Sequence, residues 1–342
     1  MDVLERAREA FERPLLDGVV LVDGYGVQVK VERSALVVKD GIGTVRRERR
    51  WERGDRSLRR VVLLNPQGGS VSLDALQWLE AQGVAVASLN GRGRPRWVTT
   101  WPAKHDAPLR RAQALALGTE LGLELARYLL EQKVKGQGDV LLSMTHGIGE
   151  RSEVRTLFKD LRVAILNATD MGMIEAVERN AAKRYWRGWV EQGIAVSWAA
   201  RDRGRVPDHW KAFPGREALW WGNQRAPDPI NACLNYLYGC LESETSVALL
   251  AAGLDLELGL FHVDQEGRDS FVYDVMEVAR PAADTILLDL LRHRTFRKSE
   301  LAESPAGEVA LLVPLTHELA QHLPTLAAAL PPHVDHLRAL LA

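Results

Sequence analysis

The sequence predicts an α+β protein in which a small β-rich N-terminal domain precedes a larger, mainly α-helical C-terminal domain. Short runs of β-branched residues separated by glycine turns fill the first hundred positions. Long stretches with leucine at helical spacing follow them. The dipeptide Trp101-Pro102 separates the two patterns, so the predicted domains are residues 1–102 and 103–342.

The N-terminal elements follow from local patterns. Val27, Val29 and Val31 alternate with polar residues, which is typical of a half-buried strand. Ser72 is the expected N-cap of one helix between the strands. The other predicted strands are residues 19–22, 36–38, 61–64 and 84–89. The turn Gly91-Arg92-Gly93 is not a phosphate loop, because no Lys-Ser/Thr pair and no following helix complete that motif.

The second domain is predicted to be nearly all helical. Its predicted helices are residues 109–133, 173–192, 230–242, 270–293 and 311–341. Cys233 and Cys240 share one helix face but lie roughly 10 Å apart along its axis, which is too far for a disulfide. We therefore expect two reduced thiols in the core.

The composition narrows the class of protein. Of 342 residues, 46% are apolar and 26% are charged, as in soluble globular proteins. No apolar run has the length of a transmembrane helix, and the first residues lack the apolar stretch of a signal peptide. With two reduced cysteines, these observations predict a cytoplasmic protein that does not associate with membranes.

The distribution of charge is more informative than the formal net charge of −1. Residues 179–225 contain ten Lys/Arg against four Asp/Glu, together with six of the ten tryptophans. Such a segment indicates either a nucleic-acid-binding surface or a solvated helix face over a tryptophan-rich core. Composition leaves both interpretations open.

One carboxylate lies in apolar surroundings. Glu178 shares a predicted helix face with Ile174, Ala181 and Tyr185. A carboxylate in that position needs a cation, which is either a basic side chain such as Arg179 or a bound metal.

A second candidate site is more compact. His262 ends a short apolar run, and the following predicted helix carries Asp274 and Glu277 on one face. A histidine beside two carboxylates indicates a divalent-metal site, and the oxygen and nitrogen donors favour manganese or magnesium over zinc. The alternative is a hydrogen-bonded structural histidine.

These residues lie in motifs that resemble a known family. Residues 228–281 resemble the C-terminal domain of CRISPR-associated protein one, the universal CRISPR adaptation integrase. The matching motifs are Asp-Pro-Ile-Asn-Ala-Cys-Leu-Asn-Tyr (228–236), Gly-Leu-Asp (253–255), Gly-Leu-Phe-His (259–262) and Asp-Val-Met-Glu-Val-Ala-Arg-Pro (274–281). Residues 177–186 resemble the family's helix with its first metal-ligand glutamate, and Lys133 with Gln137 matches its first long helix. The chain departs from the family pattern at Arg179-Asn180 and at Leu256.

The resemblance implies a metal-dependent DNA integrase of CRISPR spacer acquisition that also has DNA endonuclease activity. Its catalytic metal ligands would be Glu178, His262 and Glu277, with Asp274 as a further acid near the metal, which would be Mg²⁺ or Mn²⁺. The reaction joins 3′-hydroxyl ends of short DNA fragments to the CRISPR repeat by transesterification, without a covalent protein intermediate. The resemblance also implies a homodimer through the β-rich domain, and CRISPR-associated protein two as the partner that bridges two dimers.

Double-stranded DNA, as fragment and as repeat, is the partner that the basic residues would bind through its phosphates. The candidates are Arg179, Lys183, Arg184, Arg187, Arg205, Lys211, Arg216, Arg225, Arg292 and Arg294. Trp210 and Trp220-Trp221 are candidates for base stacking, although core packing is the favoured interpretation of these side chains. Three alternatives stay open: a mobile-element integrase of the same fold, a nuclease selective for branched DNA, and a catalytically silent DNA-binding scaffold.

Overall fold

The strands of the N-terminal part are rich in valine and leucine because both faces of their sheet are covered. The computed structural model describes residues 17–42, 44–101, 104–216, 225–262 and 264–342. Three central strands, β1 (Val19–Tyr25), β5 (Arg60–Gln67) and β7 (Ala85–Leu89), run parallel to one another.

The remaining strands extend this sheet on both sides. On one side, β8 (Pro95–Thr99) pairs antiparallel with β7 and forms the edge. On the other side lie β2 (Gln28–Glu32), β3 (Ala35–Ile42), β4 (Val45–Trp51) and β6 (Ser70–Val71). The strand order is β6-β2-β3-β1-β5-β7-β8, and β4 pairs with β3 outside this path.

Alternate residues of the central strands enter two different cores. Val20 and Val22 pack with helix α1 (Leu73–Gln82), whereas Val19 and Leu21 belong to the core of the helical part. The predicted cap of α1 is confirmed, because Ser72 Oγ accepts a hydrogen bond of 3.1 Å from the backbone N–H of Ala75. The sheet therefore has a helix on one face and the helical part on the other.

The helical part surrounds one long central helix, Pro229–Ala252. Its helices are α2 (Ala107–Ala116), α3 (Glu120–Met144), α4 (Ile148–Leu166), α5 (Met171–Glu191), α6 (Pro229–Ala252), α7 (Ser270–Met276), α8 (Arg280–His293), α9 (Leu315–Ala320), α10 (Leu323–Ala328) and α11 (Pro331–Leu341). A short hairpin of β9 (Leu301–Glu303) and β10 (Val309–Leu311) precedes α9. Helix α6 is buried on most of its circumference, and its buried residues include the polar side chains of Asn231, Ser243 and Glu244.

The predicted α+β class is confirmed, with the sheet ending at Thr99 and the helices following from Ala107. The exact domain division at residues 102 and 103 stays a prediction, since both lie outside the described residues. Cys233 and Cys240 are buried free thiols in α6, as predicted. Within the described ranges, no helix combines the length and apolarity needed to cross a bilayer.

Three predicted helices are interrupted. The helix predicted at residues 109–133 breaks where Gly118 adopts a φ of +72° and Thr119 caps α3. The helix predicted at 270–293 passes through a 3₁₀ turn, Glu277–Ala279, before Pro281. The segment predicted as one helix at 311–341 begins with the last residue of β10 and then forms three separate helices.

Candidate active site

A cavity of about 1100 Å³ lies between the sheet and the helices. Glu178 of α5, His262 of the loop before α7, and Glu277 of the 3₁₀ turn all line it. The structure thus brings together the three residues that the sequence singled out, although 84 positions separate Glu178 from His262 (262 − 178).

The two glutamates share a cation that the sequence did not identify. Lys133 Nζ, from α3, lies 2.5 Å from Glu178 Oε1 and 2.6 Å from Glu277 Oε2. Burial alone would lower the pKa of Lys133, but Glu277 and Glu178 outweigh it and raise that pKa. Glu178 does lie on the apolar face with Ile174, and its counter-charge is this buried ammonium.

Glu277 is held as an anion by two cations. Arg280 Nη2 lies 3.1 Å from its Oε1, on the side opposite the Lys133 contact. Burial opposes ionisation of this carboxyl, but Arg280 and Lys133 prevail and lower its pKa to about 2. Its Oε2 is buried and, despite the close ammonium, accepts no well-aligned hydrogen bond among the described residues.

Asp274 holds His262 rather than facing the glutamates. Its Oδ1 accepts hydrogen bonds from His262 Nδ1 (2.6 Å) and from the backbone N–H of His262 (3.0 Å). Its Oδ2 accepts from the backbone N–H of Leu260. In the neutral imidazole, a proton on Nδ1 leaves the Nε2 lone pair as the donor for a metal. Asp274 therefore suits an orienting role behind the histidine better than that of a ligand.

The donor set fits a hard divalent cation in its chemistry. It offers two anionic carboxylates, one buried oxygen without an aligned donor, and an imidazole backed by a carboxylate. The side chains do not converge as three metal ligands in the part of the chain that the structure describes. Lys133 lies between the glutamates, so a metal there would have to replace its ammonium.

The cavity floor next to Glu277 is aromatic and cationic. Asp284 accepts hydrogen bonds from Tyr185 Oη (2.7 Å) and Tyr238 Oη (2.6 Å), and burial raises its pKa to about 6. The guanidinium groups of Arg216 and Arg280 lie 5.2 and 4.8 Å from the ring centroid of Tyr238. Arg216 is one of the predicted DNA-binding residues, whereas Lys133 and Arg280 were not predicted.

The other predicted basic residues lie outside the cavity lining. Five of them are exposed and make no ion pair among the described residues: Arg179, Lys183, Arg184, Arg205 and Arg225. Arg187 pairs with Glu191 and Lys211 with Asp208, at 2.7 and 2.6 Å, on the surface. Arg292 is exposed and donates to the carbonyl of Ser143.

The structure corrects the prediction for Arg294. Its guanidinium donates to both carboxylate oxygens of Glu300, at 2.8 and 2.9 Å, and to Glu318 at 3.0 Å. Only 10% of its side chain is exposed, so its donors are used within the fold and are not presented to DNA. Arg294 is a structural residue.

The structure describes one of the three candidate tryptophans. Trp210 is 3% exposed and stacks on Trp198, which confirms the core-packing interpretation. Trp220-Trp221 lie outside the described residues.

Three arginines at the β7–β8 end of the sheet, Arg92, Arg94 and Arg96, line the cavity. The basic turn Gly91-Arg92-Gly93, although it is not a phosphate loop, is the sequence signal for them.

Two carboxylates and an oriented imidazole, in a cavity that arginines also line, define a site suited to a divalent metal and a phosphate ester. The sequence profile of the family described as "CRISPR associated protein Cas1" matches residues 20–323, and the chain belongs to this family. The resemblance found in the sequence is thereby confirmed.

Two relatives of this chain carry the Cas1 name. The chain is 30% identical over 273 residues to "CRISPR-associated endonuclease Cas1 2" of Pyrobaculum aerophilum, covering 79% of this chain and 82% of that protein. It is 28% identical over 297 residues to "CRISPR-associated endonuclease Cas1 1" of Archaeoglobus fulgidus, covering 82% and 80%.

Solved structures share the fold. A casposase bound to an integration product superimposes with a TM-score of 0.73 at 20% identity, over 90% of this chain and 82% of that one. A CAS1 protein from Thermotoga maritima superimposes with a TM-score of 0.65 at 14% identity, over 93% and 96%. At these identities the likeness shows the fold alone.

Proposed function

We propose that this protein is a metal-dependent DNA integrase of CRISPR spacer acquisition, with DNA endonuclease activity. The observation that carries the proposal is the arrangement of Glu178, Glu277 and the His262–Asp274 pair at one cavity that arginines also line. Membership in the Cas1 family and relatives named as endonucleases support it. The fold likeness to a casposase bound to an integration product supports the integrase part.

The proposed reaction exchanges one phosphodiester bond for another. The 3′-hydroxyl oxygen of the fragment attacks a phosphorus atom of the repeat, loses its proton, and forms a new ester bond. The bond from that phosphorus to the displaced 3′-oxygen breaks, and the displaced oxygen takes up a proton. No bond to a protein side chain forms, so the chain needs no serine or tyrosine nucleophile.

The residues of the cavity contribute binding, charge and orientation to this reaction. Glu178, Glu277 and His262 would hold Mg²⁺ or Mn²⁺, which supplies Lewis-acid activation of the phosphate when bound. Asp274 keeps His262 in one tautomer and one ring orientation through its 2.6 Å hydrogen bond. Arg216 and Arg280, on the aromatic floor, would stabilise the negative charge on the oxygens around the phosphorus during attack.

The proposed partners are double-stranded DNA, a second copy of this chain through the β-rich part, and a Cas2 protein. A Cas6-RT-Cas1–Cas2 complex has a chain with the fold of this protein, with a TM-score of 0.67 at 17% identity. A mobile-element integrase is the second candidate, because the casposase is also a fold neighbour. The two candidates differ in their substrate. A CRISPR integrase uses a plasmid that carries a repeat, whereas a mobile-element integrase uses the terminal inverted repeats of its element.

The test is strand transfer of a labelled 3′-hydroxyl DNA duplex into a supercoiled plasmid that carries a repeat. Reactions contain Mn²⁺, Mg²⁺ or EDTA, with and without a Cas2 protein. We expect metal-dependent joining by the wild type and a loss of at least about a thousandfold in His262→Ala, Glu178→Ala and Glu277→Ala.

The matched control is His146→Ala, which removes an exposed histidine outside the cavity lining. It should join DNA at the wild-type rate. Joining in EDTA, or full activity of His262→Ala, would contradict the proposed mechanism. No joining with Cas2 present, while DNA binding persists, would favour the scaffold hypothesis.

A further inference from the structure

Gln137 is a buried polar side chain that the proposed reaction leaves without a role. It belongs to α3, lines the same cavity as Glu178 and Glu277, and is 5% exposed. Its Oε1 is buried and accepts no hydrogen bond among the described residues. Because burying an acceptor without a donor destabilises a fold, such an oxygen points to a donor that arrives in another state of the site.

Two glycines beside Gln137 hold its backbone in place. A Cβ added to Gly136 would lie 2.6 Å from Pro281 Cγ, and a Cβ added to Gly138 would lie 2.9 Å from Phe158 Cβ. Helix α3 is therefore packed closely against α8 on one side and against α4 on the other. Since Pro281 lies just after the 3₁₀ turn that carries the metal-ligand candidate, the backbone of Gln137 has a fixed position relative to the site.

A cationic donor lies one turn earlier on the same helix. Lys133 and Gln137 are four residues apart, so they share a helix face, with Cβ atoms roughly 5–6 Å apart. In the structure the Lys133 ammonium contacts Glu178 Oε1 at 2.5 Å and Glu277 Oε2 at 2.6 Å. Because lysine has a long, flexible stem, its ammonium can reach an amide oxygen one turn away by side-chain rotation alone.

The ammonium of Lys133 needs a new acceptor once it leaves the glutamates. A metal held by both carboxylates would displace it, and a buried charge without a partner is strongly unfavourable. Within the described part of the cavity lining, two buried oxygens lack an aligned donor, Glu277 Oε2 and Gln137 Oε1. The first belongs to a proposed metal ligand. Asp284, deeper in the cavity, already accepts hydrogen bonds from two tyrosine hydroxyls, so Gln137 is the acceptor that remains within reach.

We propose that Gln137 is a positioning residue that receives the Lys133 ammonium when a divalent metal binds to Glu178 and Glu277. The amide oxygen accepts a hydrogen bond from the ammonium, which leaves its two carboxylate partners but stays inside the cavity. There the positive charge is no longer neutralised by carboxylates and favours an anionic phosphate beside the metal. The inference rests on the proposed function in taking the two glutamates as metal ligands.

The test measures the Mn²⁺ affinity of Gln137→Met by electron paramagnetic resonance of free Mn²⁺. Methionine keeps an unbranched side chain and removes the amide oxygen. The matched control is Gln132→Met, because Gln132 lies on the same helix, donates to Glu131 and is outside the cavity lining. We expect Gln137→Met to bind Mn²⁺ at least about tenfold more weakly than the wild type, since the displaced ammonium loses a hydrogen bond, and the control to match the wild type.

The double variant Lys133→Met/Gln137→Met separates positioning of the lysine from ligation of the metal. If Gln137 acts through the lysine, its substitution has no effect once the lysine is absent, so the double variant should bind Mn²⁺ as tightly as Lys133→Met. A further loss of about tenfold in the double variant would show that the amide contacts the metal or its water, and would overturn the inference. Wild-type Mn²⁺ affinity in Gln137→Met would overturn it as well.

The melting temperature in EDTA gives a second readout that does not depend on metal. Gln137→Met should melt at or above the wild-type temperature, because the substitution removes a buried acceptor that has no donor. A clearly lower melting temperature would mean that the amide is already paired without metal, which contradicts the inference. If the wild type binds no Mn²⁺, the proposed metal site fails and this inference fails with it; if the wild type binds and Gln137→Met binds equally well, this inference alone fails.

Discussion

Replacing Lys133 with methionine tests whether this lysine holds the place of a metal. The substitution keeps an unbranched apolar stem and removes the charge between Glu178 and Glu277. Breaking a buried ion pair by removing one partner costs about 3–5 kcal/mol. Glu277 keeps Arg280 at 3.1 Å, and 24% of the Glu178 side chain is exposed, so we expect about 2–3 kcal/mol in the metal-free protein.

Calorimetry in EDTA measures this cost as a decrease in melting temperature of about 3–4 °C, because a chain of 342 residues has a large unfolding entropy. A Mn²⁺ titration then measures how much of the melting temperature the bound metal restores. A metal at one hundred times its Kd stabilises the folded state by about 2.7 kcal/mol, and in the variant no ammonium has to leave first. Lys133→Met should therefore bind Mn²⁺ more tightly than the wild type, which electron paramagnetic resonance of free Mn²⁺ measures directly.

The matched control is Lys135→Met, which removes an exposed lysine from the same helix. It should change neither the melting temperature nor the Mn²⁺ affinity. Weaker Mn²⁺ binding in Lys133→Met would refute the argument, because the lysine would then assist the metal rather than hold its place. An unchanged melting temperature in EDTA would show that the glutamates do not depend on the ammonium.

Three further predictions concern other buried charges. Asp274→Asn should weaken Mn²⁺ binding about 10–100-fold by calorimetric titration, since the imidazole of His262 loses its orienting carboxylate; an unchanged Kd would argue against that role. Arg60→Met leaves Glu244 buried and unpaired, and should cost about 3–5 kcal/mol in urea unfolding, most of which the double variant with Glu244→Met restores. Burial already raises the pKa of Glu244 from 4.5 to about 7. Between these two values the folded state keeps a proton that the unfolded state loses, so stability falls as pH rises from about 4.5 to about 7. The cost of Arg60→Met should therefore be larger at pH 8.5 than at pH 5.5. Arg294→Ala should destabilise the fold by about 3 kcal/mol and leave the salt dependence of DNA binding unchanged, whereas a smaller salt slope would restore it as a DNA contact.

Local pattern was enough to predict elements that are apolar in sequence and covered in the fold. The valine-rich strands and the Ser72 cap are of this kind. Strand β4 was not predicted because arginines occupy the half-buried positions of its alternation. Arg47 and Arg49 lie there against the buried Asp40, at 2.6 and 3.1 Å, so an ion pair replaces the usual apolar contact.

Local pattern has the same limit when it is used to predict the candidate site. That Glu178 needs a cation follows from its apolar helix face, and the motifs around His262 and Glu277 point to the same chemistry. Which cation it has does not follow, because helical spacing suggests only neighbours on its own helix. Lys133, 45 positions earlier, meets Glu178 only through the packing of α3 against α5.

The central helix explains why residues from distant parts of the chain act on one cavity. Helix α6 packs against the sheet through Gly239 and Gly93, and Glu244, one turn further, pairs with Arg60 of β5. The side chain of Tyr238, next to Gly239, donates a hydrogen bond to Asp284, which lines the same cavity as Glu178, His262 and Glu277. A close backbone contact permits little sliding, and a buried ion pair permits little separation, so α6 ties the sheet to the floor of the cavity.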